Sequence, residues 1–143
     1  MLPILLLLAV VADTPDAPPI HDGGICAGLS WVHLAPGEKI SVERGPDFKV
    51  FRFHGPASES DHWWGVYFGN AAQVRGNGPL LLRRNGVTVR RATEDGQFRG
   101  YLAKKGGWQN HFFGSVFNGS DKDRDFFDRI DFSSKGQALC AKG

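Results

Sequence analysis

Residue types that usually announce a chemistry are scarce in this chain. Of its 143 residues two are cysteine, two tyrosine and one, the first, methionine. Neither Cys26 nor Cys140 has a neighbouring histidine or a CxxC partner, so a catalytic thiol is the weaker reading of both. Excess charge of one sign is also nearly absent. Lys and Arg total 17 against 15 Asp and Glu, a net charge of +2, too little for dedicated nucleic-acid binding, which scales with the phosphates neutralised. Any basic patch must therefore be local. No GxSxG or SxxK context supplies a nucleophile. The five histidines, His21, His33, His54, His62 and His111, show no HxH, HxxxH or HExxH spacing, so a zinc site would have to be assembled from distant parts of the chain. We expect no metal and no cofactor. No internal repeat or low-complexity tract is present.

What is present begins with MLPILLLLAVVA, an apolar run ending in small residues, with Val10 and Ala12 placed for cleavage before Asp13. Residues 1–12 read as a secretory signal peptide, although no Lys or Arg precedes the run. The run is shorter than the roughly 20 residues a membrane span needs, and the alternative is a truncated anchor or a buried N-terminal segment. Residues 13–24, DTPDAPPIHDGG, have Pro, Asp and Gly in place of apolar periodicity and read as a flexible stalk. Residues 25–143 then form a single globular domain of an exported protein, periplasmic or secreted. In that setting an even cysteine count predicts a disulfide between Cys26 and Cys140. Closing nearly the whole domain, it would contribute about 4 to 5 kcal/mol on chain-entropy grounds and would bring the two ends of the domain together.

From Ile25 onward short apolar stretches alternate with turn residues, the pattern of an antiparallel sheet. Strands are expected over Ile25 to Leu34, Lys39 to Arg44, Phe48 to His54, His62 to Phe68 and His111 to Phe117. The best-determined piece is RRNGVTVRR, Arg83 to Arg91. Asn85-Gly86 predicts a two-residue I′ hairpin pairing Arg84 with Val87, Arg83 with Thr88, Leu82 with Val89 and Leu81 with Arg90. Asp95-Gly96 predicts a second, pairing Glu94 with Gln97, Thr93 with Phe98, Ala92 with Arg99, Arg90 with Tyr101 and Val89 with Leu102. Alternation then sorts this meander into a core face of Leu80, Leu82, Val87, Val89, Phe98 and Leu102, and a water face of Arg83, Thr88, Arg90, Glu94, Gln97, Arg99 and Tyr101. Arg84 and Arg91 fall on the apolar side at its rim, their stems snorkelling. Ser120 with the acids after it reads as the cap of a short helix carrying Phe126, Phe127 and Ile130. The fold class is α+β, a mostly antiparallel sheet with a short C-terminal helix; the alternative is an all-β sandwich.

Two surfaces are candidates for binding. Arg83, Arg90 and Arg99 beside Tyr101 match the oxyanions of a phosphate, a sulfated or uronic sugar or an envelope head group, whereas a plain solvated sheet face would look the same and Glu94 partly neutralises it. In His62-Trp63-Trp64 alternation lets only one tryptophan face the core, leaving the other as a stacking platform unless a second layer covers it. The expected function is an exported binding module for an anionic or glycan-type envelope ligand. One alternative is a small hydrolase using His54, His62 or His111 with a carboxylate such as Asp61; another is a structural or inhibitory partner of a second exported protein, docking on a sheet edge. Asp121, Asp123 and Asp125 mimic the start of a calcium loop, but Phe126 and Phe132 stand where its Gly and bidentate Glu belong. Asn118-Gly119-Ser120 fits the N-glycosylation pattern, which matters only in a eukaryotic secretory route.

Overall fold

The computed structural model describes residues 18–55, 62–69 and 74–142. The predicted signal 1–12, residues 13–17 of the predicted stalk and Asp61 lie outside them. The strands are β1 Gly24–Ala27, β2 Ser30–His33, β3 Lys39–Arg44, β4 Phe48–His54, β5 Trp63–Gly69, β6 Leu80–Arg84, β7 Val87–Glu94, β8 Gln97–Lys105, β9 Trp108–Gly114 and β10 Ile130–Asp131. A 3-10 helix, Asp121–Arg129, precedes β10, and α1, Ser134–Lys142, follows it. Every strand pairing is antiparallel, so the protein is the mostly antiparallel sheet with a short C-terminal helix that the sequence predicts.

Seven strands form one sheet in the order β3-β4-β5-β9-β8-β7-β6, and three form another, β1-β2-β10. The inner face of the large sheet packs against the small sheet and the 3-10 helix: Val42, Phe51, Phe53, Trp64, Val66 and Phe112 share one apolar cluster with Ile25, Val32, Phe127 and Ile130. Cys26 and its cross-strand partner Trp31 point the other way, towards α1. There Cys26 is bonded to Cys140 of α1, with Cα atoms 5.1 Å apart across a sequence separation of 114, and Trp31 is fully buried. The expected joining of the two ends of the domain is thus made by a third layer. Contacts of the fold reach back to His21, whose ring lies 4.8 Å from Trp31 and whose backbone bridges to Gly24.

The expected strand Ile25 to Leu34 is in fact a hairpin. Gly28, at φ 66, opens a two-residue turn with Leu29 between the paired Ala27 and Ser30, a glycine position that II′ turns require. The 3-10 helix begins where the sequence places a helix, with the Ser120 hydroxyl accepting from the Lys122 amide. The helix buries Asp123 and Phe127. Asp123 is turned inward, taking hydrogen bonds from the Gly119 amide at 2.8 Å and from the Tyr101 hydroxyl at 2.6 Å.

Both predicted I′ turns form, with Asn85, Gly86, Asp95 and Gly96 all at positive φ, and the pairs next to each turn are those expected. Farther out, two bulges change the register. Between Leu82↔Val89 and Leu80↔Arg90 the edge strand β6 inserts Leu81, so Leu80 is exposed rather than in the core. Between Thr93↔Phe98 and Arg91↔Tyr101 the single residue Ala92 faces both Arg99 and Gly100. Gly100 makes this second bulge possible, because it sits at φ 90 and a Cβ there would lie 1.9 Å from the Phe112 carbonyl oxygen. One inserted residue exchanges the faces of everything after it.

Candidate ligand-binding face

Past the Gly100 bulge, Tyr101 and Ala103 turn into the core while Leu102 and Lys104 turn out. This corrects the predicted water face at Tyr101, which is 1 % exposed and boxed edge-on by Phe98, Phe117 and Phe127 at 5.4 to 5.8 Å. Burial and the bond to Asp123 push its phenol pKa upward. Tyr101 is a core residue with its hydroxyl spent, and it offers nothing to a ligand. Leu102 is buried too, yet on the outer face, where it opposes Arg90 and His111 and packs against Gly76.

The four arginines of RRNGVTVRR divide as the sequence predicts. Arg84 reaches inward to the Phe127 carbonyl at 3.2 Å and to Asp128 at 2.9 Å. Arg91 donates to the Gly119 carbonyl at 2.9 Å and lies over the Phe98 ring. Arg83 and Arg90 lie on the outer face. Arg83 is exposed and makes no ion pair among the described residues, whereas Arg90 makes one long contact, 3.4 Å, to the Gly78 carbonyl. Arg99 is on the same face but engaged, by the Gln97 side-chain oxygen at 3.0 Å and by Glu94 at 3.6 Å. Register brings a different cation to Arg83 and Arg90. Lys104 opposes Thr88, which opposes Arg83 on the other side, and Gln109 completes the row. Thr88, Arg90, Lys104 and Gln109 line a recess of about 250 Å³ floored by Leu102 and Gly76. Sequence reasoning missed Lys104 because its parity depends on the bulge; the signal was Gly100 itself, a lone glycine inside an otherwise regular strand.

The tryptophan pair is also resolved by alternation. Trp64 is 2 % exposed, stacked on Phe53 at 4.0 Å with the Arg129 guanidinium 5.1 Å from its ring, and its indole N–H donates to Glu38 at 3.0 Å. Glu38 also pairs with Arg129, so the core edge here is closed by a charge pair. Trp63 is half-buried on the outer face, edge-on to Phe113 at 6.0 Å. The Phe113 ring lies across Gly65 and is followed at 5.3 Å by the ring of His111. Tyr67, which opposes His111, stacks on Phe48 at 5.6 Å. These rings form a strip across β4, β5 and β9 next to the cationic strands. A carbonyl only accepts, so the 2.5 Å contact between His111 Nε2 and the Arg99 oxygen fixes the imidazole proton on Nε2. Burial holds the His111 pKa below its ordinary value of 6.5, which keeps the ring neutral on this face.

The other histidines are scattered. His21 bonds Asp22 beyond the small sheet, His33 ends β2, and His54 opposes Trp63 at the far end of the outer face from His111. His62 is exposed beside the loop whose Asp61 lies outside the described residues. No group of three or more His, Cys, Asp or Glu among the described residues is placed to hold a metal ion. No helix among them is long and apolar enough to cross a membrane. No family model, curated protein or solved structure matches the chain.

Proposed function

We propose that this protein is a non-catalytic exported binding module that takes an extended anionic glycan of the cell envelope on the outer face of its large sheet. The observation that carries the reading is the make-up of that face: an aromatic strip of Trp63, Phe113, His111 and Tyr67 runs into a cationic patch of Arg83, Arg90 and Lys104. The small sheet and the 3-10 helix stack on the inner side of the large sheet, and on the outer side Val74 and Gly76 flank the recess at Leu102. Aromatic rings stack against the faces of sugar rings, and guanidinium and ammonium groups pair with their carboxylates or sulfates. Trp63 and Lys104 are separated by six residues of β9, on the order of 20 Å along the strands, so the ligand is a chain of sugars rather than one ring. Export is supported by the apolar run at residues 1–12 and fits the disulfide. Of the original arginine trio, Arg83 and Arg90 keep their place and Lys104 takes that of Arg99.

The test is retention on a polyuronate resin over a salt series. The wild type is expected to bind at low salt and to release as salt rises, by counterion release. Combined Arg83→Ala, Arg90→Ala and Lys104→Ala should abolish retention, while Lys122→Ala, Lys135→Ala and Lys142→Ala, with the same loss of net charge, should not. Equal retention of the two variants would show that net charge alone drives adsorption and would sink the reading.

A further inference from the structure

The core layer runs out at the end of the sheet where the β3–β4 turn approaches the disulfide. The row Arg44↔Lys49↔Phe68 continues the inner face one step beyond Val42, Phe51 and Val66, but there the small sheet no longer fills the layer. A cleft of about 580 Å³ is left, within the size range of small-molecule sites. Phe48 and Phe68 form one side of it, and Pro18, Pro19 and the Cys26–Cys140 disulfide form the other. Two cations, Arg44 and Lys49, and a single acid, Asp47, line it. Lys49 is half-buried, and its ammonium makes no ion pair among the described residues. A half-buried ammonium with no ion pair of its own, set beside aromatic and proline surface, can meet the acid group of a ligand. Gly28 forms part of the wall, and close behind it the fully buried Asn110 side-chain oxygen has no hydrogen-bond partner among the described residues; it lies 2.7 Å from where a Gly28 Cβ would stand.

We propose that this cleft is a second binding site, specific for a small organic anion with a flat apolar body, such as an aromatic carboxylate or sulfonate. Its ring slots between Phe68 on one side and Pro18 and Pro19 on the other, and its acid group meets Lys49. The lining shares no residue with the cationic patch and meets the aromatic strip only at Phe48, which stacks on Tyr67, so Lys49 and the slot stand whether or not the outer face binds glycan.

Titration of the full chain with the fluorescent probe anilinonaphthalene sulfonate tests it. The expected result is saturable one-site binding, displaced by naphthoate but not by the isosteric neutral naphthalenemethanol. Lys49→Gln should weaken the probe about tenfold or more, the scale of one charge-assisted hydrogen bond, and Lys49→Arg should restore it. The combined Arg83→Ala, Arg90→Ala and Lys104→Ala variant should bind the probe as the wild type does. Displacement by the neutral compound as readily as by naphthoate, or wild-type affinity in Lys49→Gln, would overturn the proposal, and the displacement arm needs no variant to fold.

Discussion

Trp63 and Trp64 are consecutive residues of one strand, and they meet opposite environments. Trp64 enters a face on which the rings are covered and the polar groups around it are paired: its N–H is held by Glu38, the Tyr101 hydroxyl by Asp123, and the rim arginines Arg84 and Arg91 by carbonyls of the 3-10 helix and the segment before it. Trp63 enters a face of similar composition, aromatic with arginines at one end, on which the rings are half-covered and Arg83 and Lys104 are left without acid partners among the described residues. Residue type therefore does not separate the covered face from the open one. What separates them is whether a second layer arrives to complete the contacts.

The largest effect should come from breaking that contrast at the tryptophans. Trp64→Ala removes a buried ring and leaves the Glu38 and Arg129 pair partly uncovered, and should cost about 3 to 5 kcal/mol. Trp63→Ala should cost less than about 1.5 kcal/mol while abolishing glycan retention. Urea unfolding of the two variants measures the difference, and equal losses would erase the distinction between the faces.

Next in size is the bulge that assigns Tyr101 to one face and Lys104 to the other. Gly100→Ala places a methyl against the Phe112 carbonyl at positive φ and should cost at least about 2 kcal/mol. Gly96→Ala, also at positive φ but with nothing within 4 Å, should cost only about 1 kcal/mol. Similar losses at the two positions would mean that Gly100 is not holding the register.

The two faces should also titrate at opposite ends of the pH scale. Burial and Asp123 raise the Tyr101 pKa in the folded protein above its ordinary value of 10. The stability it contributes is complete below that pH and is lost as pH rises beyond it. Tyr101→Phe should lower stability at neutral pH by about 1 to 2 kcal/mol and flatten the alkaline loss. His111, with its folded pKa depressed below 6.5, contributes stability present above that pH and lost as pH falls. His111→Gln keeps a donor for the Arg99 carbonyl and should flatten the acid arm alone. Thermal unfolding across the pH range reads both arms. The smallest effect on stability belongs to Arg83→Ala, Arg90→Ala and Lys104→Ala, within about 0.5 kcal/mol each, although they should remove retention.

Much of the fold was legible because it rests on local chemistry. Asn85-Gly86 and Asp95-Gly96 fix two hairpins from dipeptides, Ser120 caps its helix, and the division of Arg83 and Arg90 from Arg84 and Arg91 needs only parity counted from a turn. What was not legible depends on residues far apart. Gly100 bulges because its backbone approaches the β9 carbonyl of Phe112, a contact the register of the hairpin does not encode. The turn at Gly28-Leu29 was hidden inside an apolar stretch with no second turn residue. The helix α1 has little apolar pattern of its own, buries only Gly136 fully, and is held through Cys140. The candidate site inherited these errors: counting from Asp95-Gly96 without the bulge exposes Tyr101 and hides Lys104.

The most direct test of the outer-face assignment is a two-dimensional amide NMR titration of the protein with a defined oligouronate. The account predicts shift changes along β5, β7, β8 and β9, centred on Trp63, Phe113, His111, Arg90 and Lys104, with the amides of β1, β2 and α1 unmoved. Saturable binding whose shift changes fall on the small sheet, on α1 or around Lys49, with the outer face unmoved, would contradict it.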